Sequence, residues 1–241
     1  MPRLYCREDP VDTRAVASPE NTFPKLLIRN ARLFADRPAY RHKDLGIWRT
    51  WTWSQVREFI AFDDPSGNRI ELVWRPAHSG VRYHGARDAG ITGFSHVGLC
   101  TTDAARDEAF WTRVCNARVS DRVGDAPLLR INEVHHSIAL FPTDHAGIQH
   151  INHQVESADD VMRSFRFLSE RQIRIVFGPG RHPSSSAKFL YFEGPDGVVF
   201  EYSSGVKMIA DELLYRERQL SFDPAGFCEW GAKPNVAEFR S

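Results

Sequence analysis

The chain has 241 residues, with 31 basic and 31 acidic side chains, so its formal net charge is zero. This balance argues against a nucleic-acid or membrane-surface partner. No apolar run is long enough to cross a bilayer, residues 1–10 lack a signal-peptide core, and the four cysteines have no disulfide-type spacing. We therefore expect a reduced, cytoplasmic protein.

Three segments of different character precede Gly85. Residues 1–21 are polar and contain prolines, and we expect them to be disordered. Residues 22–60 predict an amphipathic helix, a hairpin turning near Asp44–Gly46 and a second helix at Ser54–Ile60. Residues 61–84 look like the remnant of a larger, non-catalytic domain and a linker.

Residues 85–205 contain one pattern twice, a strand, a helix and three strands. The two modules cover 93–141 and 148–204, with Asp103 and Ser157 as predicted helix caps. Such modules pair their sheets, so we expect an α+β fold with a cup-like barrel and helices outside. Residues 206–241 form a C-terminal extension, which begins with a predicted helix at Asp211–Gln219.

A further internal similarity concerns Phe62–Leu72, which resembles Phe192–Tyr202 when the two stretches are aligned without gaps. Phenylalanine, proline, glycine and glutamate coincide in them. The earlier stretch therefore predicts the closing turn and strand of another copy of the module, most of which is missing.

Three residues in strand-like stretches, His96, His153 and Glu201, make a two-histidine, one-carboxylate set. The histidines lie on the first strands of the two modules and Glu201 lies on the last strand of the second. Side chains alternate along a strand, so inward-facing residues of three strands can converge on one ion. This set is typical of non-haem Fe(II) sites. The alternative is that each histidine only packs or hydrogen-bonds in a core.

Residues 88–232 resemble the catalytic domain of type I extradiol ring-cleaving dioxygenases, in the vicinal oxygen chelate superfamily with its glyoxalase-like fold. The motifs that carry the resemblance are Gly-Phe-Ser-His96-Val, His135-His136-Ser-Ile-Ala-Leu, His150-Ile-Asn-His153, Gly180-Arg-His182 and the stretch from Phe189 through Tyr191 to Glu201. The resemblance implies cleavage of a catechol-type ring with O2, a small-molecule catecholic substrate, and Fe(II), or Mn(II), held by His96, His153 and Glu201.

The same resemblance makes His136 the residue that handles protons, and His182 and Tyr191 the residues that bind the substrate hydroxyls. His136 is expected on the last strand of the first module, and the adjacent His135 on the opposite face. Each of these side chains has a structural alternative, as a core imidazole, a loop histidine or a half-buried aromatic. Two other functions stay open: a glyoxalase-like lyase, and a catalytically silent fusion or binding protein.

Residues 22–58 resemble a different family, the N-terminus of AMP-forming acyl-CoA synthetases. The chain lacks that family's phosphate-binding loop, so we expect no adenylation. A fusion near Glu58–Phe62 would explain the incomplete first domain. The loss of most of that first domain would expose surface on the catalytic domain, and the exposed surface allows a homo-oligomer.

Overall fold

The computed structural model describes residues 23–44, 47–53, 59–73 and 88–234. They belong to two compact units, one with residues up to 62 and 69–81, the other with 63–68 and everything from 82 onward. The disorder expected for residues 1–21 lies outside the described residues. So does most of the second helix predicted at 54–60, whose last two residues begin a strand instead.

The first unit contains helix α1 (Phe23–Phe34) and an antiparallel hairpin of β1 (Pro38–Asp44) and β2 (Ile47–Thr52), with Asp44 opposite Ile47. This is the stretch for which the sequence predicts a helix and a hairpin. Strands β3 (Phe59–Asp63) and β4 (Arg69–Val73) form a separate two-stranded sheet. An origin of this region in an acyl-CoA synthetase stays a prediction.

The second unit is built on one nine-stranded sheet with the order β10-β11-β12-β9-β5-β8-β7-β6-β13. Its strands are β5 (Ile91–Thr101), β6 (Arg118–Val123), β7 (Ala126–Arg130), β8 (Ile138–Pro142), β9 (Gly147–Val155), β10 (Ile175–Arg181), β11 (Lys188–Glu193), β12 (Val199–Ser204) and β13 (Arg218–Leu220). Its helices are α2 (Ala104–Val114), α3 (Ala158–Glu170) and α4 (Pro224–Phe227).

Two strand–helix–three-strand modules meet where β5 pairs antiparallel with β9 at the centre of this sheet. Both long helices begin at the predicted caps: the Asp103 side chain accepts from Arg106 N, and the Ser157 side chain accepts from Asp160 N. These bonds satisfy backbone donors that the first helical turn leaves free. The predicted α+β fold of paired modules is confirmed.

The sheet is curled. The evidence is that strands far apart in its order contribute to one apolar cluster. Val123 on β6 and Phe177 on β10 belong to the same buried core, together with Leu128 and Phe189. A flat sheet would hold β6 and β10 near its opposite edges, with six other strands between them. The curl closes the sheet around an interior that holds the polar residues described below.

The turn between β3 and β4 repeats the turn between β11 and β12. Asp64 N donates to Asn68 O at 2.8 Å and Gly67 N to Asp64 O at 2.9 Å; at the matching positions of the later turn, Gly194 N donates to Val198 O at 2.8 Å and Gly197 N to Gly194 O at 3.1 Å. Gly67 and Gly197 both have positive φ, +95° and +80°, which side chains with a β-carbon rarely adopt. The predicted similarity of the two stretches therefore extends to their backbone geometry.

The helix predicted at Asp211–Gln219 is wrong. This segment forms a turn and then β13, which pairs parallel with β6. Asp121 on β6 accepts hydrogen bonds from the backbone and guanidinium of Arg218, and these bonds hold the chain extended against the sheet. Within the described part of the chain, no helix is long and apolar enough to span a bilayer.

Candidate metal centre and its cavity

Two imidazoles and one carboxylate converge inside the curled sheet. His96 Nε2 lies 2.9 Å from His150 Nε2 and 3.1 Å from a carboxylate oxygen of Glu201, and His150 Nε2 lies 3.5 Å from the same oxygen. All three residues are buried. They come from three neighbouring strands, β5, β9 and β12.

Strand pairing explains why His150, and not His153, joins this cluster. Asn152 on β9 is in register with His96 on one side and with Glu201 on the other, so all three side chains leave one face of the sheet. His150 lies two residues before Asn152 and shares that face. His153, the next residue after Asn152, leaves the opposite face.

His153 is accordingly outside the cluster, and the ligand prediction is corrected there. It is in register with Tyr202, whose ring packs on the apolar cluster under α3. Its own ring is partly buried and lies 6.2 Å from that of Phe200. The prediction took the wrong histidine of His150-Ile-Asn-His153, because residues an odd number of positions apart leave opposite faces of a strand.

The donor set fits a divalent metal ion. Two ligand atoms about 2.1 Å from an ion and at right angles to each other lie about 3 Å apart, close to the separations seen here. Neither carboxylate oxygen of Glu201 receives a well-formed hydrogen bond from the described residues, although the side chain is fully buried. Buried polar atoms without partners are rare in native proteins, and an ion between the three side chains would satisfy them.

Electrostatics keep Glu201 and His150 in the forms that bind metal. Burial by itself would raise the pKa of Glu201, but the adjacent imidazoles of His182 and His96 hold it well below its usual value. Burial, and then repulsion from His96, lowers the pKa of His150 to about 3. The carboxylate is therefore ionised and the His150 imidazole neutral at ordinary pH.

A glycine makes room for the His150 ring. Gly98 on β5 is in register with His150 on β9, and a β-carbon on Gly98 would collide with that ring. His150 Nδ1 contacts Gln149 Oε1, which a β-carbon on Gly98 would also meet. The absence of a side chain at position 98 therefore leaves space for both groups.

A small cavity opens beside the cluster. Its polar wall contains His136, His182 and Tyr191, which are the three residues that the sequence places near a substrate. His182 Nε2 lies 3.1 Å from the Tyr191 hydroxyl. Burial, and then the Glu201 charge, raises the pKa of Tyr191 well above its usual value, so it stays a neutral phenol.

The C-terminal extension supplies a wall of this cavity. Gly226 and Phe227 line it, and the Phe227 carbonyl lies 2.8 Å from His182 Nδ1. Sequence reasoning missed both residues, since nothing in their local pattern distinguishes them from other residues of an irregular tail. The contact orients the imidazole of His182 toward Tyr191.

His136 lies at the cavity wall, and two details of its prediction are wrong. First, His136 precedes β8 by two residues instead of lying on that strand. Its ring nevertheless lies near the metal cluster, with its centroid 4.1 Å from that of the His96 ring. His135 does not lie on the opposite face, because its Nδ1 is 3.0 Å from His136 Nδ1. Burial, and then repulsion from His96, lowers the pKa of His136 well below its usual value.

The fold and the site together define a class. Residues 93–202 match the family model of the Glyoxalase/Bleomycin resistance protein/Dioxygenase superfamily. Curated relatives have more specific names. The chain is 29% identical over 178 residues to an iron-dependent extradiol dioxygenase of Rhodococcus jostii, an alignment that covers 66% of this chain and 59% of the relative.

Two further similarities support the same class. A 2,2',3-trihydroxybiphenyl dioxygenase of Sphingomonas paucimobilis is 26% identical over 218 residues, which are 84% of this chain and 68% of that protein. The solved structure of a Mn(II)-bound glyoxalase from Novosphingobium aromaticivorans superposes with a TM-score of 0.69 at 26% identity, over 90% of this chain and 69% of that one. The chain thus spans about six-tenths to seven-tenths of the length of these relatives.

Proposed function

We propose that this protein is a metal-dependent extradiol dioxygenase, which opens a catechol-type ring with O2. The observation that carries the proposal is the convergence of His96, His150 and Glu201 at a cavity whose wall also presents a phenol and two further imidazoles. The names of the curated relatives agree with it. The substrates are a small catechol and O2.

Fe(II) is the metal that we propose, with Mn(II) as the alternative. Two neutral imidazoles and one carboxylate suit both ions. The Rhodococcus relative is named as iron-dependent, and the Novosphingobium structure is described as Mn(II)-bound. When bound, such an ion would supply Lewis acidity that favours ionisation of a catechol hydroxyl, and a path for electrons to O2.

The Tyr191 and His182 side chains have the chemistry to hold the catechol hydroxyls. Tyr191 remains protonated and can donate from its hydroxyl, which lies at the cavity wall. His182 is held between that hydroxyl and the Phe227 carbonyl, so its ring cannot rotate freely. Two fixed partners on one side of the catechol ring would set the orientation of the catechol toward the metal ligands.

His136 has the chemistry to take a proton from a substrate hydroxyl. Its lowered pKa leaves the imidazole neutral, so one ring nitrogen carries a lone pair that can accept a proton. Among the described residues that line the cavity, the other titratable groups are the histidines and the tyrosine already named. The apolar side chains of Leu128, Phe141 and Phe227 line the remaining wall and suit an aromatic ring.

An anaerobic reconstitution tests the proposal. The full-length chain is loaded with Fe(II), mixed with 2,3-dihydroxybiphenyl, and exposed to O2, while O2 uptake and the yellow ring-opened product are followed. We expect both signals in the wild type and neither in Glu201→Ala. Stoichiometric iron binding without O2 uptake on any of a panel of catechols would overturn the dioxygenase proposal.

A glyoxalase-type lyase is the second candidate, because the Novosphingobium structure is described as a glyoxalase. Reactions of that kind use a further carboxylate or amide ligand, and His136 stands at that place here. The two candidates differ in their use of O2. Isomerisation of a glutathione hemithioacetal under argon would support the lyase, and strict O2 dependence would exclude it.

A further inference from the structure

A buried hydrogen-bonded chain runs away from the cavity, from His136 through His135 to Asp121. His136 Nδ1 lies 3.0 Å from His135 Nδ1, and His135 Nε2 lies 2.9 Å from a carboxylate oxygen of Asp121. Asp121 and His135 are fully buried. Which nitrogen donates at each link depends on which ring nitrogens carry protons. The ionisation state of Asp121 determines the positions of these protons.

Asp121 can only accept. Its Oδ1 accepts from the Tyr215 hydroxyl at 3.1 Å and from the Arg218 backbone N at 3.0 Å, while its Oδ2 accepts from the Arg218 guanidinium at 2.5 Å. Burial would raise the pKa of Asp121, but the hydrogen bonds from His135 and Arg218 lower it to about 2. The ionised carboxylate has no proton to give, so His135 Nε2 must donate.

The proton positions of the two histidines follow from that constraint. Burial lowers the pKa of His135, so its imidazole is neutral and carries its only proton on Nε2. His135 Nδ1 is then an acceptor, and the proton in the bond between the rings belongs to His136 Nδ1. A neutral His136 is left with a lone pair on Nε2.

The C-terminal segment holds the hydrogen-bonded series of His136, His135 and Asp121 in place. His135 N donates to Lys207 O at 2.9 Å, so the backbone of His135 is fixed as well as its ring. The Arg218 guanidinium that binds Asp121 also donates to Ser184 O at 2.6 Å. Both ends of the Asp121–His135 pair are thus anchored to a part of the chain outside the two modules.

We propose that Asp121 and His135 are positioning residues, which hold His136 in the tautomer protonated at Nδ1 and leave Nε2 as the acceptor for a catechol proton. The catalytic use of that tautomer rests on the proposed function. The tautomer itself is a property of the folded protein and can be measured without turnover.

Long-range proton–nitrogen NMR correlation of the histidine rings tests the tautomer. The full-length chain is labelled with ¹⁵N-histidine and freed of paramagnetic metal, and the signals are assigned by comparison with His136→Gln and His135→Gln. We expect a protonated Nδ1 on His136 and a protonated Nε2 on His135 in the wild type. A protonated Nε2 on wild-type His136 would overturn the proposal, whatever the variants do.

Asp121→Asn then tests the positioning role. An amide can donate to His135 Nε2, which moves the proton of His135 to Nδ1 and that of His136 to Nε2. We expect this reversed tautomer, and kcat lower by about 100-fold or more with KM changed by less than about 3-fold, as befits loss of a general base. Tyr215→Phe, which keeps the carboxylate, should retain the wild-type tautomer.

Asp125→Asn is the control for activity, because it makes the same chemical change at an exposed position of the same hairpin. We expect its kcat and tautomers to equal those of the wild type. A reversed tautomer in Asp121→Asn with unchanged kcat would refute the positioning role. If the wild-type tautomers are as expected but no catechol is cleaved, the proposed function fails and the assignment of the tautomers stands.

Discussion

The Nε2 atoms of His96 and His150 lie 2.9 Å apart, although the residues are 54 positions apart in the chain. The antiparallel pairing of β5 and β9 brings them together, and Gly98 opposite His150 leaves space for the second ring. Burial keeps the His150 imidazole neutral, and Glu201 adds an ionised carboxylate on the next strand. Two imidazoles and one carboxylate that converge in this way suit a divalent cation.

Replacement of His150 should weaken metal binding strongly, and replacement of His153 in the same segment should not. We expect His150→Ala to weaken Fe(II) affinity by more than about 100-fold, since even the loss of a partner that orients a ligand costs about 10–100-fold. His153→Ala is the matched control and should bind one Fe(II) as the wild type does. Anaerobic titration calorimetry measures both affinities. Loss of binding in His153→Ala alone would restore the ligand set predicted from the sequence.

A single methyl group on β5 should disturb the same site. The β-carbon of Gly98→Ala would meet the His150 ring, so we expect metal affinity to fall about 10-fold and stability to fall by about 1–3 kcal/mol through overpacking. Gly93→Ala on the same strand meets nothing within 4 Å and should change the unfolding free energy by less than about 0.5 kcal/mol. Urea unfolding and metal titration of both variants check this. Equal effects of the two substitutions would show that the His150 ring is not held by Gly98.

Removal of the Tyr191 hydroxyl should affect turnover more than stability. Tyr191→Phe keeps the buried ring and removes one hydrogen-bonding group, which lies 3.1 Å from His182 Nε2. We expect kcat/KM for 2,3-dihydroxybiphenyl to fall about 10-fold, the value of one hydrogen bond, while metal affinity is unchanged. Steady-state O2 uptake measures the effect. A variant with wild-type kcat/KM would exclude Tyr191 from substrate binding.

Asp121 should stabilise the fold in a pH-dependent way. Hydrogen bonds from His135 and Arg218 overcome the effect of burial and lower its pKa from 3.8 to about 2, so folding favours the ionised carboxylate. The resulting stabilisation, about 2 kcal/mol, is fully present above about pH 5 and is lost as the pH falls toward 2.

Urea unfolding of the wild type and of Asp121→Asn, at several pH values between 7 and 2.5, isolates this contribution. Groups common to both proteins cancel in the difference between their unfolding free energies. We expect that difference to be largest at neutral pH and to shrink steadily below about pH 4. A difference that does not vary with pH would mean that the Asp121 carboxylate titrates alike in the folded and unfolded chains.

Local sequence patterns were sufficient to predict features that depend only on neighbouring residues in the chain. The caps at Asp103 and Ser157 are of this kind, because a helix cap acts on a backbone N–H three residues ahead. The segment at Asp211–Gln219 is the opposite case. Its composition suits a helix, but the bonds between Arg218 and a carboxylate 97 residues earlier hold its last two residues in a strand.

The sequence by itself determined the two modules, the turn shared by Phe62–Leu72 and Phe192–Tyr202, and a metal set drawn from histidines and a glutamate on three strands. Only the tertiary structure decided that His150 belongs to that set and that the C-terminal segment closes the cavity and anchors His135. The physical reason is register. Which face a side chain leaves depends on hydrogen bonds and irregularities in the pairing of distant strands, such as those between β5 and β9, and these are set when the whole sheet forms.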